Sequence, residues 1–113
     1  MATIKVDYNG TKLVLSDNGH TKAKGNAPIH WQPGKDVKKI QAVTKKHDSP
    51  SSTDEFWADA PHENGVNFKG KIANIQEGDW KYDITATVKT DDGHKDVTED
   101  PRIQVEADVE SGA

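Results

Sequence analysis

The 113-residue chain is predicted to be all-β: an antiparallel Greek-key β-sandwich of about seven strands, with one long loop and one short helical turn. Three observations lead there. Between Trp80 and Lys89, Trp80, Tyr82, Ile84, Ala86 and Val88 alternate with polar residues, and a period of two places them on one face of a half-buried strand. Short apolar clusters elsewhere are separated by Gly, Asn, Asp and Pro turn signals. No stretch sustains a helical period.

The elements follow in order. Ile4, Val6 and Tyr8 alternate with Lys5 and Asp7 in a first strand that ends at Asn9-Gly10. Leu13 and Leu15 continue the pattern to Asp17-Asn18-Gly19-His20, whose Asn-Gly pair suits the positive φ of a tight turn. Thr21–Asn26 is polar and lysine-rich, which fits an edge or a loop. Ile29 and Trp31 share a face of the next short strand, closed by the Gln32-Pro33-Gly34-Lys35 turn. Val37–Thr44 is a strand whose broken alternation predicts a bulge near Lys38-Lys39.

From Lys45 to Asn67 the alternation disappears, and this is the long loop. Asp54–Asp59 is expected to make its helical turn, capped by Thr53 or Asp54. Phe68–Ile75 is a strand with an irregular end, and Gln76–Asp79 turns into the strand at Trp80–Lys89. The Thr90–His94 turn makes a hairpin to a final region in which Val97, Ile103 and Val105 face inward. Pro101 donates no hydrogen bond, so that region is interrupted or at an edge there. Residues 1–107 are taken as the sandwich and 108–113 as a flexible tail.

Composition narrows the function. With no cysteine, disulfides, thiolate metal sites and cysteine nucleophiles are excluded together. A net charge of −4 argues against nucleic acid as the partner, and no apolar run is long enough to span a bilayer. Met1–Val6 lacks the apolar region of a signal peptide; the compartment is left open.

Two stretches carry a family resemblance. Ala23–Gln32 (AKGNAPIHWQ) is similar to the cupredoxin pattern of a Gly-containing turn entering a strand that ends in Trp. Glu77–Ile84 (EGDWKYDI) resembles the late strand of cupredoxin-like and immunoglobulin-like sandwiches, with Ile84 where a cysteine would stand two residues after the Tyr. The resemblance implies a fold. Blue-copper proteins ligate the metal with two His, one Cys and a weak axial Met; this chain has no Cys, and its one Met is Met1, so that centre is not implied.

Within the long segment, Phe56, Trp57, Asp59, His62 and Asn64 are the candidate partner-binding residues. Aromatic side chains give contact area at low entropic cost, and Trp57 is the natural stacking platform if the partner is a sugar. The competing reading makes Phe56 and Trp57 anchors that pin the loop to a sheet. His20, His30, His47, His62 and His94 lack tight ligand spacing, although His20 and His94 follow similar Gly turns (DNGH and DDGH) that meet if both lie at one end. Lys35, Lys38, Lys39, Lys45 and Lys46 form a basic cluster, read as a solvated face. No nucleophile elbow or phosphate-cradling loop is present, so no catalytic residue, cofactor or metal is assigned. The expectation is a non-catalytic binding or assembly module for a protein or carbohydrate partner. The alternatives are a metal-binding protein without a blue-copper centre, or a structural subunit that self-associates through a strand edge.

Overall fold

A computed structural model describes residues 2–45 and 56–105. The described chain is all-β: β1 (Ala2–Tyr8), β2 (Leu13–Leu15), a 3-10 turn (Ser16–Gly19), β3 (His20–Ala23), β4 (Pro28–Pro33), β5 (Val37–Lys45), β6 (Trp57–Asn64), β7 (Asn67–Ile72), β8 (Gly78–Thr90), β9 (Gly93–Glu99) and β10 (Arg102–Val105). These are ten strands where about seven were expected. The surplus has three sources: the short β3, the strand β6 within the long segment, and the division of the last strand at Asp100-Pro101. Trp57–Asp59 belong to β6 rather than to a helical turn, while the Thr53/Asp54 cap, His47 and the tail at 108–113 lie outside the described residues.

One sheet has the order β2-β1-β4-β7-β6; the other runs β3-β10-β8-β5, with β9 also paired to β8. Both are mixed, which corrects the expectation of purely antiparallel sheets: β1 runs parallel to β4, and β3 parallel to β10. The reason lies at the 3-10 turn. Asn18 and Gly19 both take positive φ, 55° and 80°, and the chain leaves the β1–β2 hairpin for the other sheet instead of returning to its own. There it lies beside the last strand.

β8 is the spine of the second sheet. Its buried residues are Trp80, Tyr82, Ile84, Ala86 and Val88, the set read from the alternation. One edge pairs with β5, whose register shifts at Val37/Lys39 and again at Ile40/Ala42; the first is the bulge expected near Lys38-Lys39. The other edge pairs with β9 and then β10 without a slip, from Thr90 opposite Gly93 to Trp80 opposite Ile103. Between them the Tyr82 N–H donates to the Pro101 carbonyl at 3.2 Å, and Pro101 has no N–H to return. The proline interrupts the strand and leaves its register intact.

The two sheets share one core. Ile4, Val6, Ile29, Trp31 and Ile72 come from the first, and Ile40, Tyr82, Ile84, Val88 and Ile103 from the second, all fully buried. Trp31 Nε1–H donates to the Tyr82 hydroxyl at 3.0 Å across the interface, so the buried indole N–H has its acceptor in the other sheet. At one rim the Ile40 N–H donates to the Val66 carbonyl at 2.9 Å, tying β5 to the β6–β7 turn.

Candidate functional site

The β6–β7 hairpin carries four of the five candidate residues, and Phe56 immediately precedes it. Phe56 is 2% exposed and stacks on Trp80 at 5.9 Å between centroids. Trp57 meets Phe56 at 5.1 Å, Trp80 at 4.9 Å and Trp31 at 6.0 Å. Offset or edge-to-face pairs of this kind add about 0.5–1.5 kcal/mol each beyond the area they bury. The aromatic pair is therefore an anchor: Phe56 is withdrawn from the surface, and Trp57 is only half so. The Trp57 Nε1 atom is buried and has no hydrogen-bond partner among the described residues.

Beyond Trp57 the strand leaves the core. β6 pairs with β7 through register shifts at Trp57/Asp59 and Asp59/His62. These bulges need room, and Gly70 on β7 supplies it. A Cβ there would lie 2.9 Å from the Asp59 carbonyl oxygen and 3.1 Å from the Trp57 ring. From Ala58 to Asn64 every residue is exposed on both faces except the half-buried Pro61. Asp59, His62 and Asn64 accordingly project into solvent. His62 Nδ1 lies 3.1 Å from the Ala60 carbonyl and 3.7 Å from Asp59 Oδ1, so Asp59 and His62 form one polar group on the strand. Glu63 reaches Lys39 Nζ of β5 at 3.9 Å, an exposed pair that adds little stability. A two-residue turn, Gly65-Val66 with Gly65 at φ 70°, closes the hairpin between Asn64 and Asn67.

The groups offered here are a carboxylate, an imidazole and a primary amide on a strand whose root is fixed in the core. They present hydrogen-bond acceptors and donors on an exposed strand. Bulges and Pro61 also disfavour pairing of another strand along this edge.

The four described histidines, His20, His30, His62 and His94, are dispersed. His20 sits opposite Arg102, with Nε2 2.9 Å from Gln104 Oε1. His94 is at the far end of the same edge, opposite Lys89. Eight residues of strand separate positions 94 and 102, on the order of 25 Å at the usual rise per residue. The DNGH and DDGH turns therefore do not meet. Of the lysine cluster, Lys35 and Lys38 are exposed and Lys39 is engaged with Glu63.

Two surface clefts were not foreseen. One lies between β2 with its following turn and the segment Glu99–Arg102. The other lies where Tyr8–Gly10, Lys35-Asp36 and Thr90–Asp92 converge, and Lys95 Nζ stands 5.9 Å above the Tyr8 ring there. Their turn residues were legible one by one, but their convergence depends on strand order, which alternation does not encode. The chain matches no family model, and no curated protein matches it in sequence.

Proposed function

We propose that this domain is a non-catalytic binding module that recognises a protein partner through the β6–β7 hairpin. The observation carrying this reading is the exposure of β6. A strand in a two-layer fold ordinarily hides one face. β6 hides neither from Ala58 to Asn64, yet Phe56 and Trp57 root it in the core. Polar side chains held on such an element are pre-ordered for contact, which lowers the entropic cost of binding. A carbohydrate partner is the weaker reading, because its stacking platform would be Trp57, whose ring is shared among Trp31, Phe56 and Trp80.

For the scaffold we infer a Greek-key sandwich of cupredoxin-like topology. Immunoglobulin-like sandwiches are built of antiparallel sheets, whereas here β1–β4 and β3–β10 are parallel. That difference supports the cupredoxin-like alternative.

The test uses two variants. The triple variant Asp59→Ala/His62→Ala/Asn64→Ala should keep the wild-type melting temperature and lose partner capture by the immobilised domain. Trp57→Ala should instead cost about 3 kcal/mol of stability, as for other large aromatic truncations. Capture of the same partners by wild type and triple variant would sink the hairpin reading. A chelator-reversible melting rise of several degrees with zinc or copper would replace it with the metal-binding alternative.

A further inference from the structure

We propose that the outer edge of β9 is a homodimerisation surface, pairing antiparallel with β9 of a second copy about a two-fold axis at Val97. This goes beyond the hairpin reading and uses the opposite edge of the molecule.

The other strand edges are blunted. β6 carries two bulges and Pro61, β2 is three residues long, and β3 is four. On β5 the Ile40 N–H is taken by Val66. β9 differs: it runs seven residues without proline or bulge, and among the described residues only β8 pairs with it. The direction of its hydrogen bonds follows from the Tyr82–Pro101 bond. Position 101 points toward β8, so Glu99, Val97, Lys95 and Gly93 do as well. The N–H and C=O groups of His94, Asp96 and Thr98 point outward, an open row of donors and acceptors.

An isologous contact pairs i with j and j with i, and outward groups must face outward groups. That leaves four registers near the middle of the strand. One centred on Lys95 sets Lys95 against its own copy, and one centred on Asp96 sets Asp96 against its own copy. One centred on Thr98 sets Asp96 against Asp100. All three place like charges opposite each other. The register centred on Val97 sets Val97 against Val97, Asp96 against Thr98, and Lys95 against Glu99 twice. Val97 is half-buried and packs on the core margin, while Lys95 and Glu99 project from the same face on either side of it. An inward-facing lysine on an edge discourages a foreign strand. A second copy answers it with Glu99. Charge complementarity therefore selects a copy of this chain as the occupant.

Sedimentation velocity of the full chain from micromolar to millimolar concentration tests this. Wild type should show a concentration-dependent monomer–dimer equilibrium. Lys95→Glu and Glu99→Lys should each weaken self-association by roughly tenfold or more, the effect of two adverse cross-strand pairs. An equimolar mixture of the two should associate as well as wild type, because both cross-pairs are again complementary. Thr98→Pro removes an outward N–H without touching the β8 ladder, so it should also give monomers, and it substitutes for either charge variant that fails to fold. A wild type that stays monomeric at millimolar concentration would overturn the contact. Association without rescue by mixing would overturn the register, and equal association of every variant would place the interface elsewhere.

Discussion

Tyr82 shows how one side chain links the two layers. It is fully buried, and its hydroxyl accepts the Trp31 indole N–H. Burial pushes its phenol well above the ordinary 10.0, with the Trp31 hydrogen bond opposing this more weakly. The folded value exceeds the unfolded one, so this contribution to stability is complete below pH 10 and is lost as pH rises toward the folded value. Between the two values the unfolded chain has released a proton that the folded chain keeps, and stability falls by about 1.4 kcal/mol per pH unit. Tyr82→Phe should remove that part of the slope. It should also cost about 1–3 kcal/mol at neutral pH, because Trp31 Nε1 loses its acceptor. Urea melts of both proteins at pH 7 and at about pH 11 measure the difference. An unchanged alkaline slope in the variant would show that another group governs it.

At the scale of elements, legibility followed burial. β1, β4 and β8 hide one face each, and their alternating apolar residues identify that face from sequence. β7 hides Phe68, Gly70 and Ile72, but a buried glycine carries no apolar signal, so the strand read as irregular. β6 was invisible because it hides neither face beyond Trp57 and its two bulges reset the phase. Phe56 and Trp57 were recognised as important residues, but sequence cannot say whether an aromatic pair faces a partner or a core. These two strands depend on each other at Gly70. Its added Cβ would press on the Asp59 carbonyl, which is backbone and yields only if β6 moves. Gly70→Ala should therefore destabilise the protein by about 1–3 kcal/mol, the usual cost of overpacking. The β6 amides should lose hydrogen-exchange protection while those of β8 keep theirs. Equal protection in variant and wild type would mean that β6 accommodates the methyl without shifting.

At the scale of the molecule, alternation states which face of a strand is buried but not which strand lies beside it. The parallel pairs β1–β4 and β3–β10, and the separation of His20 from His94, follow from the crossing at Ser16–Gly19, where the sequence shows only a turn. The same crossing weaves the two sheets into one cooperative unit. β1, β2 and β3 are consecutive, yet the first two belong to one sheet and the third completes the edge of the other. Neither sheet has an apolar face that can be covered without its partner, since the fully buried residues come from both. Unfolding should therefore be a single two-state transition, as in most domains of this size. The chain provides its own probe, because all three tryptophans lie in one contact cluster, with Trp31 in the first sheet, Trp80 in the second, and Trp57 touching both. Tryptophan emission thus reports the contact between the sheets, while far-ultraviolet circular dichroism reports the strands. In a urea titration the two signals should share one midpoint and one slope. An emission midpoint at lower urea would mean that the sheets part while their strands persist. The shared core would then be a docking surface between two independently stable layers.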